Sequence, residues 1–134
     1  MDLEILKIAS NTENHKTVKN HTHLSKNKNS ICGDEMEISL LIKNDLIKDI
    51  GYQCKSCVYC QASASLLSRK IKNKKVNQIE DLIYSIEFFF DNTEIKIKNE
   101  WKDFQKIFNK KNISRKDCLL LPLRTTSKAL NIKK

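Results

Sequence analysis

Glycine and proline are almost missing from this chain of 134 residues, which has two glycines, Gly33 and Gly51, and one proline, Pro122. Both residue types punctuate loops, so their scarcity excludes a disordered or loop-dominated chain. No apolar run approaches the ~20 residues that a helix needs to cross a bilayer, and a membrane is not expected as a partner. The N-terminal stretch Met1-Asp2-Leu3-Glu4-Ile5 lacks the basic and long apolar regions of a secretory leader, so a cytoplasmic location is expected. Arginine is scarce as well: among 25 basic residues only Arg69, Arg115 and Arg124 are arginine, and the net charge of +9 comes from scattered lysines. Such charge invites phosphate binding. Lysine lacks the planar fork used for bidentate base readout, so a small zinc-binding nucleic-acid module using the lysine-rich surface is kept as the alternative.

What is present is thiol. Five cysteines, an odd number, without an export signal suit a reducing compartment in which thiols act as ligands or nucleophiles, not as disulfide staples. Three of them, Cys54, Cys57 and Cys60, fall in the stretch Cys54 to Ser65, ahead of the small residues Ala62, Ser63, Ala64 and Ser65. A strand from Leu46 to Tyr52 is expected to deliver these thiols. A helix starting beyond Cys57 fixes them, its amide-rich N-terminus favouring the thiolate and its small side chains allowing close packing.

The length predicts one domain over residues 1–134. A short helix is expected over residues 2–10, followed by a polar segment with His15, His21 and His23. An edge strand is expected from Val18 to Leu24, and His21 and His23 would share one side of it, a pair that reads first as exposed histidines and second as metal ligands. Met36, Ile38, Leu40 and Ile42 then alternate with Glu35, Glu37 and Ser39, the period of a half-buried strand, and Asn44-Asp45 supplies the turn of a β-hairpin. The hairpin's outer ends lie together, so Cys32-Gly33-Asp34 should come near Cys54 and Cys57.

Helical spacing predicts helices over residues 58–72 and from Val76 to Phe90, the second broadened by Phe88 and Phe89. A further helix is expected from Glu100 to Asn109, with Ile95 and Ile97 in its lead-in and Trp101, Phe104, Ile107 and Phe108 as a core stripe in preference to a base-stacking surface. A last helix capped by Ser114 carries Cys118 and is bent at Pro122. Strands followed by helices make the fold class α+β, a small antiparallel sheet packed against several helices.

C-x2-C-x2-C by itself suggests an iron–sulfur or zinc site. The ferredoxin run would need a fourth cysteine where Ala64 stands, and a zinc ribbon would need a second Cys-x2-Cys pair that the chain lacks. Three pieces taken together are more specific: Cys32-Gly33-Asp34, Cys57 before Ala62-Ser63-Ala64-Ser65, and Arg115-Lys116-Asp117-Cys118-Leu119-Leu120-Leu121-Pro122. In this order they resemble the iron–sulfur cluster assembly scaffold family, the NifU N-terminal and IscU-like fold. The long interval before Cys118 and the Arg-x-x-Cys arrangement are closest to the SufU-type branch. The resemblance implies that Cys32, Asp34, Cys57 and Cys118 bind a transient iron–sulfur cluster or zinc, and that Cys32, Cys57 and Cys118 are candidate sulfur acceptors assisted by Arg115. Cys60 is an alternate ligand or relay, or else a small buried residue. The implied partners are a cysteine desulfurase and apo iron–sulfur acceptor proteins, with the chain a scaffold, or a zinc-dependent sulfur relay, and not an enzyme in its own right.

Overall fold

Strand β2, Glu35–Lys43, is the centre of a three-stranded antiparallel sheet of order β1-β2-β3, with β1 at His23–Lys28 and β3 at Leu46–Lys55. The computed structural model describes residues 3–29, 33–92 and 97–131, apart from the side chains of residues 89–92. The expectations placed on Cys32, Ile95 and the side chains of Phe89 and Phe90 fall outside these residues. Met36, Ile38 and Leu40 all turn to the core as their alternation requires. Asn44 and Asp45 both take positive φ, 53° and 60°, as a tight primed hairpin turn demands. Leu41 pairs with Asp49 but Ile42 pairs with Ile47, so Lys48 is the extra residue of a bulge, and the shift keeps both Ile47 and Ile50 in the core.

The edge strand begins later than expected. Val18 does not pair at the edge; its N–H donates to the Ser39 hydroxyl at 2.9 Å, and the segment around it crosses the face of the sheet away from the helices, its Lys16 carbonyl lying against Gly51. Burial of Val18 on that face displaces the strand to His23–Lys28, which pairs with Glu35–Leu40 of β2. His21 is therefore in a turn, its Nδ1 against the Val18 carbonyl, and His23 sits against the Thr22 hydroxyl. The two do not form a pair on one strand face.

Helices α1 (Leu3–Ala9), α2 (Val58–Ile71), α3 (Val76–Asn92) and α4 (Lys116–Ala129) supply the other layer. Helix α2 packs on β3, α4 on β1 and β2, α1 on α2, and α3 on α4. Ala62 and Ala64 are buried as small residues should be at a close helix contact, and the Ser63 hydroxyl donates to the Leu119 carbonyl of α4 at 2.6 Å. Between α3 and α4 the expected α-helix is instead a 3-10 helix, Asn99–Lys106. Trp101, Phe104 and Ile107 recur at intervals of three, the spacing that a 3-10 helix lines up on one face, and all three are buried. A second 3-10 helix, Lys110–Arg115, takes in Ser114, so Arg115 and not Ser114 occupies the N-cap of α4. Buried Asn112 holds this turn through its side-chain N–H to the Ile107 carbonyl at 2.8 Å. Helix α4 continues through Pro122. Among the described residues no helix is long and apolar enough to cross a membrane.

Candidate metal centre

Three segments distant in sequence meet at one end of the sheet. Strand β3 delivers Cys57 to the N-cap of α2, in extended backbone at φ −71° and ψ 166°. The hairpin's other outer end delivers Asp34, and α4 delivers Cys118. One oxygen of Asp34 and the sulfurs of Cys57 and Cys118 all lie within 4.8 Å of one another. Asp34 and Cys118 are buried, each 5% exposed, while Cys57 is only partly enclosed.

The approach of Asp34 begins with Gly33, whose φ of +75° lies in the left-handed region that glycine adopts without a Cβ penalty. A Cβ built there would meet nothing within 4 Å, so the backbone conformation and not steric clearance calls for glycine here. Asn29 closes the base of this loop: its carbonyl accepts the Gly33 N–H and its N–H donates to the Asp34 carbonyl, each at 2.8 Å. The Asp34 carboxylate then accepts the Cys57 N–H at 3.2 Å, and its second oxygen stands 3.5 Å from the Cys57 sulfur. Cys118 is held through α4, which the Ser63–Leu119 hydrogen bond clamps to α2 one residue from the thiol.

The donor set fits a soft divalent metal. Thiolates bind zinc or iron at about 2.3 Å, and a tetrahedron of such bonds has edges of about 3.8 Å, a small contraction from the spacing here. A nearly buried carboxylate is costly without a cation, and among the described residues no lysine or arginine forms an ion pair with Asp34. Two sulfurs and this oxygen leave a fourth position. Cys32, two residues before Asp34, lies outside the described residues.

The other sequence candidates divide. Arg115 lays its guanidinium over the ring of Tyr59 with 5.2 Å to the centroid, in the first turn of α2. No spacing rule pointed to Tyr59, since the stacking joins segments far apart in the chain. Cys60 is completely buried one turn into α2, and burial drives its thiol pKa far up, so it is a protonated thiol at rest. Cys54 is half-buried near the end of β3, and burial raises its pKa too. It borders a cavity of about 680 Å³ together with Asn27, Met36 and Lys128. His15 packs edge-on against Tyr52, and none of the three histidines joins the metal-competent group.

Residues 3–89 match the NifU-like N-terminal domain family. The chain is 31% identical over 114 residues to the iron–sulfur cluster assembly scaffold protein IscU of Thermotoga maritima, covering 81% of this chain and 77% of the relative. Its fold is similar to the crystal structure of a putative iron–sulfur cluster assembly scaffold protein for the SUF system from Fervidobacterium islandicum, with a TM-score of 0.88, 24% identity, and coverage of 97% and 96% of the two chains. A NifU-like N-terminal protein from Brucella abortus has a similar fold, with a TM-score of 0.87 at 16% identity over 97% of this chain and 91% of that one. With the family matched across most of the chain and a relative above 30% identity, this protein belongs to the NifU-like N-terminal domain family.

Proposed function

We propose that this protein is an iron–sulfur cluster assembly scaffold whose thiols receive sulfur from a cysteine desulfurase and pass it on, as sulfur or as a cluster, to apo acceptor proteins. The observation that carries this reading is the meeting of Asp34, Cys57 and Cys118 within 4.8 Å from three separate segments. Cys32 is the proposed fourth ligand, on the strength of its place next to Gly33 and Asp34.

The mixed donor set suits exchange. Two or three thiolates hold a soft metal firmly, and the carboxylate is the poorer ligand and the arm that lets go. Zinc or iron held by Asp34, Cys57 and Cys118 would keep the two thiols deprotonated. A thiolate of Cys57 or Cys118 not held by the metal would attack the outer sulfur of a donor persulfide, forming a new S–S bond as the donor's own thiolate leaves. Cys57 is placed for this step, being less enclosed than Cys118.

The nucleic-acid alternative is not favoured. Lys16, Lys26, Lys28, Lys70, Lys72, Lys98 and Lys106 are each paired with an acidic side chain, which makes these seven lysines less available for phosphate contacts. Trp101, Phe104 and Phe108 are core residues and offer no faces to bases.

The test is anaerobic purification, followed by measurement of zinc, iron and acid-labile sulfide and an assay for stimulation of a cysteine desulfurase. Bound metal with stimulation is expected. A metal-free protein that leaves the desulfurase unchanged and binds nucleic acid in a salt-dependent way would overturn the proposal.

A further inference from the structure

We propose that Cys60 is a resolving thiol: when Cys57 carries a persulfide, Cys60 cleaves it, closing a Cys57–Cys60 disulfide and releasing the outer sulfur as hydrosulfide. The inference rests on the reading of Cys57 as a sulfur acceptor and adds the reducing step which that reading leaves open. A desulfurase delivers sulfur at the sulfane level, whereas a cluster is built from sulfide, two electrons lower. A pair of thiols carries those two electrons.

Cys57 and Cys60 form a C-x-x-C pair laid across a helix start. Cys57 is the N-cap of α2 and its carbonyl accepts the Gln61 N–H at 3.1 Å, so the first turn is already closed when the chain reaches Cys60. Residues three apart on a helix have Cα atoms about 5 Å apart, inside the roughly 4.4–6.8 Å that separates the Cα atoms of disulfide-linked residues. Helical side chains also lean toward the N-terminus, which aims the Cys60 sulfur back at the cap. Cys54 is no substitute for Cys60 in this pairing. Lys55 continues the strand between Cys54 and Cys57, and extended backbone holds the two residues apart.

Burial sorts the roles. Cys57 is open enough to meet an incoming persulfide, whereas Cys60, at 0% exposed, is closed to any external donor and acts only within the chain. The enclosed hydroxyl of Ser56 lies within hydrogen-bonding reach of the Cys60 and Cys54 thiols, where it can donate to sulfur as negative charge develops. Because Cys60 approaches from within the helix, the inner sulfur of the persulfide is the one it reaches, and the outer sulfur points to the open side and leaves.

The step balances without a further reactant. Cys57–S–S⁻ and Cys60–SH give Cys57–S–S–Cys60 and HS⁻. The persulfide bond breaks and the Cys57–Cys60 bond forms, while the electron pair of the broken bond and the Cys60 proton depart with the outer sulfur. The two cysteines pass from dithiol to disulfide, the sulfane sulfur is reduced to sulfide, and an external dithiol resets the pair.

The full chain as purified is treated with glutathione persulfide, desalted and left without reductant, with hydrosulfide trapped by a bimane reagent and disulfides mapped by mass spectrometry. Hydrosulfide is expected in step with a Cys57–Cys60 disulfide, and Cys54→Ala should behave like the unaltered chain. Cys60→Ala should keep its persulfide on Cys57 and release at least tenfold less hydrosulfide. Release by Cys60→Ala within twofold of the unaltered chain, or a cross-link to Cys54 in place of Cys60, overturns the proposal. If Cys60→Ala fails to fold, the disulfide map of the unaltered chain decides alone, and absence of the Cys57–Cys60 link refutes the idea. Metal content of the same preparation judges the scaffold reading separately, since the small persulfide donor bypasses the desulfurase.

Discussion

The carboxylate of Asp34 accepts the backbone N–H of Cys57 at 3.2 Å and places its other oxygen 3.5 Å from that residue's sulfur, across 23 positions of sequence. One side chain thus both positions the start of α2 and completes the donor set. Replacing it separates the two roles. Asp34→Ala is expected to retain metal on the thiolates but to transfer it several-fold more slowly to a chromogenic chelator or an apo-ferredoxin. Asp34→Asn, which keeps an oxygen for the Cys57 N–H, should transfer as slowly as Asp34→Ala while unfolding at a urea concentration closer to that of the unaltered chain. Faster release from Asp34→Ala would show that the carboxylate holds the metal and does not open the site.

Cys57→Ser and Cys118→Ser each remove a strong bond and leave a hydroxyl that is rarely ionised near neutral pH. Each should weaken zinc binding by more than the ~10–100-fold that loss of an outer-shell partner costs. Competition titration against a chelator of known affinity measures this. Equal affinity for Cys118→Ser and the unaltered chain would place Cys118 outside the site despite its proximity.

Gly51 lies directly under the Lys16 carbonyl, and a Cβ at this position would collide with that backbone oxygen. The crossing segment would have to lift off β3, disturbing the nearby hydrogen bond from the Tyr52 N–H to the Asn14 carbonyl. Gly51→Ala is expected to cost about 1–3 kcal/mol, the usual range for overpacking, read from the urea midpoint at constant slope. A change below a few tenths of this would mean that the segment adjusts freely.

The Lys70 ammonium, hydrogen-bonded to Asp103, holds that carboxyl below its usual pKa. A depressed carboxylate contributes stability that is present above the unfolded pKa of about 3.9 and lost as pH falls through the folded value. Lys70→Met should therefore lower the urea midpoint at pH 6, with the deficit shrinking as both chains are acidified. Both side chains are about one-third exposed, so the effect is small and screened by salt. A deficit that stays constant from pH 6 down to full protonation would assign it to packing of the lysine stem.

Cys60 and Cys57 should differ sharply toward iodoacetamide in metal-free protein, because one thiol is enclosed and protonated and the other partly open. Cys57 is expected to label in the folded chain and Cys60 only on unfolding, as peptide mass mapping would record. Labelling of Cys60 at a rate comparable to Cys57 would show that the first turn of α2 opens readily.

Sequence by itself determined the parts of this protein built from local periodicity. Alternation around Ile38 makes β2, Asn44-Asp45 makes the hairpin turn, and the spacing of Ile79, Leu82, Ile83 and Ile86 makes the buried face of α3, because each pattern matches one backbone geometry. It also placed Cys57 at the junction of strand and helix, and the antiparallel hairpin alone brought Asp34 toward it. Tertiary structure decided the rest. Local spacing could not separate an α-helix from the 3-10 helix at Trp101, since apolar residues three apart suit both and the core chose between them. Val18 left the sheet edge to cover the far face, where burial outweighed strand pairing. The arrival of Cys118 beside Cys57 depends on α2 packing against α4, joined by the Ser63–Leu119 hydrogen bond. That docking is a contact between distant segments, and periodicity along the chain carries no term for it.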